Sequence, residues 1–148
     1  KKPEFIAADS FDEIIDKSKN KILKLIKDEK FIGRDIAILS DQSMKPSNND
    51  STNSLRKNLE ENSLEVISAR EYAMPYIREN YENRITFDSI KRFKGLEKPI
   101  IILVNLDANI DTEEKMRDIY SGLSRARGHL IIISNQQSIN YLKELYNN

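Results

Sequence analysis

Short apolar runs alternate with longer amphipathic stretches along this chain, and the alternation predicts strands and helices in turn. Glu4-Phe-Ile-Ala-Ala8 reads as a first strand. Ser10 followed by Glu13 is a capping-box start, in which each side chain satisfies an otherwise orphaned backbone N–H. Phe11, Ile14, Ile15, Ile22, Leu25 and Ile26 then recur at helical spacing, with lysines and acids between them. Gly33 lies in the following turn, and Asp35-Ile-Ala-Ile-Leu-Ser40 is a second strand. Residues 41–54 have little apolar surface to bury and are expected to be a flexible surface loop. A short helix is expected around Leu55 to Glu61, then a strand at Leu64 to Ser68. Residues 69–83 are ambiguous, because Pro75 interrupts a possible helix there.

The second half has a sharper pattern. Ile85-Thr-Phe87 begins a strand, and Ser89 to Phe93 fits one helical turn. Pro99-Ile-Ile-Ile-Leu-Val-Asn105 is apolar almost throughout, as suits a central parallel strand covered on both faces. Asp111 with Glu114 marks another helix start, and Met116, Ile119, Tyr120 and Leu123 give that helix one apolar face. Leu130-Ile-Ile-Ile-Ser134 is a further buried strand, and a helix from about Ser138 to Leu145 closes the chain. Strands alternating with helices imply a three-layer α/β domain with a mostly parallel sheet, whose ligands gather beyond the carboxyl ends of the strands.

Composition narrows the chemistry. At 148 residues the chain suits one domain, and 24 Lys+Arg balance 24 Asp+Glu. That balance removes bulk positive charge as an argument for nucleic-acid binding, so any such contact must be local. Cysteine is absent, which excludes a disulfide framework, a zinc–thiolate site and a thiol nucleophile. His129 is the sole histidine, so a multi-histidine metal site is excluded as well. No apolar run approaches the roughly 20 residues of a membrane span. Lys-Lys-Pro-Glu at the start is not a signal peptide, and it reads as a boundary inside a longer protein, so a cytoplasmic location is expected.

The four glycines, Gly33, Gly95, Gly122 and Gly128, are too sparse for a G-x-x-x-x-G-K-[ST] phosphate loop or a G-x-G-x-x-G fingerprint. Two clusters remain. Between Arg84 and Lys98 stand five bases (Arg84, Lys91, Arg92, Lys94, Lys98) and two acids (Asp88, Glu97), a local surplus of three positive charges at the end of a strand. Lysine, serine and backbone N–H groups there suit phosphates, Gly95 permits close approach, and Glu97 suits a sugar hydroxyl. A solvated charged turn has the same composition. The second cluster is Tyr120-Ser-Gly-Leu-Ser-Arg-Ala-Arg-Gly-His129. Its arginines also suit a helix C-terminus, and Gly122 inside a helix costs about 1 kcal/mol relative to alanine. His129 reads as an ordinary packed or surface side chain.

The order Ser89-Ile-Lys-Arg-Phe-Lys-Gly-Leu-Glu97, apolar strand, acidic helix, Ser124-Arg-Ala-Arg127, apolar strand resembles superfamily I helicases of the UvrD-like group. There T-x-H-x-x-K-G-x-E is motif V and [ST]-R-A-[RK] is motif VI. The resemblance is most specific over residues 85–134 and extends more weakly to the Asp35–Ser40 strand, which is similar to motif IV. In that family two RecA-like (P-loop NTPase-like) domains close on ATP and single-stranded nucleic acid. The first carries the phosphate loop and the magnesium-binding acids, and the second carries motifs IV to VI.

The resemblance therefore implies that residues 1–148 form a single RecA-like helicase C-terminal domain, part of a longer protein and inactive alone. It makes Arg125 the arginine finger. It makes Glu97 a ribose acceptor, with Gly95 allowing the approach. Ser89, Lys91 and Arg92 face the nucleic acid. ATP with Mg2+ is the implied cofactor, the metal being held by the first domain. The implied partners are single-stranded or duplex nucleic acid and the N-terminal RecA-like domain, with no membrane. Two departures stand out: Lys91 occupies the family's usual His position, and Asp41 stands where an arginine often follows motif IV. These favour one rival, a RecA-like interaction domain that has lost motor function. A stand-alone flavodoxin-like α/β domain is the other rival, and it lacks a convergent polar site in the sequence.

Overall fold

The computed structural model describes residues 3–40, 50–61, 64–67, 83–89, 97–104 and 128–147. Six strands form one sheet: β1 (Glu4–Ala7), β2 (Ile36–Ser40), β3 (Glu65–Ile67), β4 (Arg84–Ser89), β5 (Ile100–Val104) and β6 (His129–Ser134). Their spatial order is β1-β6-β5-β2-β4-β3, and every neighbouring pair is parallel. Three α-helices are described: α1 (Phe11–Lys27), α2 (Asp50–Glu61) and α3 (Gln136–Asn147). A 3-10 turn, Gly33–Asp35, leads into β2.

Strand periodicity sorts the core into two faces. On one face Ile131, Ile102, Ile38 and Phe87 form a cross-strand row by register. These residues join Ile14, Ile15, Ile22 and Leu25 of α1 and Leu59 of α2 in a single buried cluster. On the other face Ile132, Leu103, Leu39 and Asp88 make the corresponding row, all fully or almost fully buried. Helix α3 packs on β1 and β6 through a part of the molecule distinct from that cluster, with Ile139 and Leu142 buried. The sheet thus lies between helical layers, as helices on both faces of a parallel sheet require.

The capping of α1 is as expected at Ser10, whose Oγ accepts from the Glu13 N–H at 3.2 Å. The reciprocal bond goes one residue further out, from the Asp9 N–H to Glu13 Oε2 at 3.3 Å. Asp9 in turn accepts the Gln136 N–H at 2.9 Å and so closes the first turn of α3, together with Asn135, which accepts the Ser138 N–H at 2.8 Å. Asp9 therefore joins the starts of two helices, by its backbone N–H to Glu13 of α1 and by its carboxylate to the first turn of α3, where the helix dipole favours negative charge.

Helix α2 begins at Asp50, five residues before the Leu55 start suggested by the apolar pattern. Leu59 is fully buried and Arg56 is tied to the Val66 carbonyl, so the C-terminal half is anchored. Extending a helix from such an anchor is cheap compared with nucleating it. Residues 41–49, the rest of the expected flexible loop, lie outside the described residues. So do residues 68–82, which contain the ambiguous stretch around Pro75, and residues 105–127, which contain the expected Asp111 helix. Ser89, expected to open a helical turn, is instead the last residue of β4.

Both outer strands are met by a cation from the helix above them. The Lys17 ammonium donates to the Ala7 carbonyl on β1, and Arg56 donates to the Val66 carbonyl on β3 at 2.9 Å. These carbonyls point away from the sheet, since the adjacent Ala8 and Glu65 N–H groups are the ones that bond inward, to Ser134 and Asn83.

Candidate functional site

In a parallel sheet all strands end at one edge and start at the other. Ser89 lies at the C-terminal edge, level with Ser40 and Val104 by register. Glu97 precedes β5 and so belongs to the N-terminal edge, where its side chain is exposed. From Ser89 to the level of Ile100 is four strand steps, roughly 13 Å at 3.3 Å each. The sequence pattern puts the whole first cluster at the ligand edge beyond the strand ends. The structure divides it, with Ser89 at that edge and Glu97 at the other. Lys91, Arg92 and Gly95 between them, and Arg125 of the second cluster, lie outside the described residues.

At the N-terminal edge Pro99, the residue that follows the first cluster, meets the end of the second. The His129 N–H donates to the Pro99 carbonyl at 2.9 Å. Gly128 has φ +111°, and a Cβ there would stand 1.9 Å from the Pro99 oxygen. Only glycine combines that backbone with that approach. The residue just after the first cluster thus lies against Gly128 and His129, the last residues of the second, because β5 and β6 are neighbours in the sheet. His129 itself is exposed and stands edge-on to Phe31, with ring centroids 6.3 Å apart at 73°. That agrees with its reading as a surface residue with a packing role.

On the β2 side the same segment is held by Lys98. This lysine is only 5% exposed, and its ammonium donates to the Arg34 carbonyl in the 3-10 turn. The turn is itself closed by reciprocal bonds, Asp35 N–H to the Ile32 carbonyl at 3.0 Å and Ile32 N–H to Asp35 Oδ2 at 3.2 Å. It sits tightly on the approach to β4, since a Cβ on Gly33 would come within 2.6 Å of the Asn83 carbonyl carbon. Burial lowers the Lys98 pKa to about 8; the Asp35 carboxylate opposes the shift and the Arg34 charge adds to it.

Composition marks Lys98 only as one more surface charge. The sharper signal is its place between Glu97 and Pro99, immediately ahead of five buried strand residues. Asp88 is as inconspicuous in the sequence. It is fully buried at the end of β4, as is Thr86 two residues earlier. Among the described residues no group of three or more His, Cys, Asp or Glu side chains is placed to hold a metal ion. No helix among them is long and apolar enough to cross a membrane.

The depressed lysine makes a signed prediction. Between pH 8 and about 10.5 the unfolded chain holds a proton on Lys98 that the folded chain gives up, so this group adds stability as pH rises through that window. Below pH 8 both states are protonated and the contribution is flat. Urea unfolding of the native chain and of Lys98→Met should show a stability difference that is constant below pH 8. It should then move in favour of the native chain as the pH rises toward 10. A difference that stays constant over the whole range would place the ammonium in water rather than in the protein.

No protein-family model matches this sequence, and no curated protein matches it either. Among solved structures, the chain is similar to the C-terminal domain of a possible DNA helicase from Lactobacillus plantarum WCFS1, at 19% sequence identity and a TM-score of 0.63. The match covers 90% of this chain and 73% of that one. With the all-parallel six-stranded sheet and its flanking helices, this likeness gives the chain the RecA-like three-layer α/β fold.

Proposed function

We propose that this chain is the second motor domain of an ATP-dependent superfamily I nucleic-acid helicase or translocase. What supports the reading is a fold similar to a possible DNA helicase's C-terminal domain, on which Pro99, just after the first cluster, lies against Gly128 and His129 at the end of the second. In this reading a first RecA-like domain supplies the phosphate loop and holds the Mg2+ of bound ATP. Glu97 accepts a hydrogen bond from the ribose, Gly95 lets the backbone approach the nucleotide, and Arg125 reaches the γ-phosphate. An exposed carboxylate at the strand-start edge fits a sugar hydroxyl, which donates, better than a phosphate, which it would repel.

Ser89, Lys91 and Arg92 contact the nucleic-acid backbone from the other end of the same connection. Nucleotide and nucleic acid are then read by two ends of one short segment, 89–97, which is a compact way to couple their occupancy. Lys91 serves as a point charge on a phosphate, where the family's ring would hydrogen-bond.

Replacing Lys91 and Arg92 together by alanine tests the nucleic-acid half of the reading. Neutralising a phosphate releases counterions, so the slope of log affinity against log salt for a single-stranded oligonucleotide should flatten by about 0.7 for each phosphate the variant no longer touches. Fluorescence anisotropy between 50 and 200 mM salt reads it, and an unchanged slope removes the two residues from the interface. A phosphate loop encoded upstream of Lys1 in the parent protein would support the motor reading directly. Its absence would favour the second reading, a RecA-like interaction domain without motor function, for which Asp41 and Lys91 already speak.

A further inference from the structure

After β4 the described chain resumes at Glu97-Lys98-Pro99, and this segment is held from both sides. Toward β6, Pro99 gives its carbonyl to the His129 N–H and meets the Gly128 backbone. Toward β2, the Lys98 ammonium reaches the Arg34 carbonyl, 64 residues earlier in the chain. Ile36, Ile100 and His129 stand in one row by register, so these ties fall just ahead of three adjacent strands.

A buried ammonium is a poor choice for stability. Burial outweighs the attraction of the nearby Asp35 carboxylate, and an apolar side chain of similar length would fill the same space with less desolvation penalty. What an apolar side chain lacks is direction. A hydrogen bond from Nζ to a carbonyl sets where the Lys98 backbone lies relative to the 3-10 turn, and so where the adjoining Glu97 carboxylate emerges from the edge.

We propose that Lys98 is the positioning residue for Glu97, fixing by its bond to the Arg34 carbonyl the place at which that carboxylate meets a nucleotide ribose. The proposal rests on the reading of Glu97 as the ribose acceptor. Lys98 itself is buried and acts only through its neighbour. With its pKa lowered to about 8 by burial, the ammonium form, with all three N–H donors, is dominant at neutral pH.

The test uses the parent ATPase with ATP and with its 2′-deoxy and 3′-deoxy analogues. If Glu97 accepts from the ribose, Glu97→Ala should raise KM for ATP about tenfold, leave kcat nearly unchanged, and abolish the preference for ATP over one of the deoxy analogues. Lys98→Met should reproduce that pattern in smaller degree, with KM raised about threefold and the sugar preference reduced. The double variant should be no worse than Glu97→Ala alone, since two residues acting through one hydrogen bond are not additive. Lys98→Gln keeps a donor for the Arg34 carbonyl and should retain part of the preference. It also serves as the working comparison if the methionine variant fails to fold.

A purely structural role would lower the melting temperature without changing the ATP-to-deoxy ratio. If Glu97→Ala alters that ratio and neither Lys98 variant does, the positioning role is overturned while the ribose reading stands. If Glu97→Ala leaves the ratio unchanged, the ribose reading falls and the role of Lys98 falls with it.

Discussion

On the proposed motor reading, alanine in place of Arg125 is expected to lower ATP hydrolysis by the full-length protein at least 10³-fold while leaving ATP binding within a few-fold of normal. An arginine finger works on charge that develops in the transition state, and elsewhere it is worth about 10³–10⁵ in rate. Its ground-state contribution is small, so KM or a directly measured nucleotide affinity should hold. Arg125→Lys should rescue little, because an ammonium lacks the planar fork that spans two phosphate oxygens. Single-turnover hydrolysis with saturating nucleic acid, paired with equilibrium binding of a fluorescent nucleotide, separates the two quantities. Normal turnover by the alanine variant would end the assignment of Arg125.

Gly128→Ala is expected to be the most damaging single-methyl substitution at this edge. The φ of +111° lies outside even the left-handed region that other residues occasionally adopt, and the new Cβ would fall 1.9 Å from the Pro99 oxygen and 2.8 Å from its carbon. Neither obstacle is a flexible side-chain end. Backbone strain and overpacking together should remove about 2–5 kcal/mol of stability. The midpoint of urea unfolding should fall accordingly with little change in slope. If the variant still folds, it should also displace Pro99 and thereby Glu97, so the same ATP-to-deoxy measurement should register it. A variant as stable as the native chain would mean that β6 does not approach Pro99 in this way.

How far the sequence foretold this arrangement differs from element to element. Ile100–Val104 was legible because five successive apolar residues have no alternative to burial on both faces, and all five are buried. The parallel α/β architecture followed from the alternation of such runs with helical periods, although the structure is all-parallel where a mostly parallel sheet was expected. The start of α2 was not legible, because residues 50–54 carry no apolar period and their helicity depends on an anchor further along.

Of the candidate site's described residues, the sheet edge was legible for Ser89 and not for Glu97. The general rule that ligands gather at strand ends pointed to Ser89 and carried Glu97 along with it, although the connection from β4 to a parallel β5 must traverse the sheet from one edge to the other. The burial of Lys98 goes with a bond to a carbonyl 64 residues upstream, and no local pattern announces such a bond. Asp88 was hidden for a related reason. A charge next to Ser89 reads as part of a solvated turn, until the alternation of Thr86, Phe87 and Asp88 is set against a sheet buried on both sides.

The cations on the two outer strands have a mechanical consequence. With Lys17 on the Ala7 carbonyl and Arg56 on the Val66 carbonyl, the sheet's lateral borders already hold donors where an incoming strand would need to bond. A strand arriving at either border would first have to displace a cation there. A sheet finished at its sides in this way is guarded against growing by the addition of another strand.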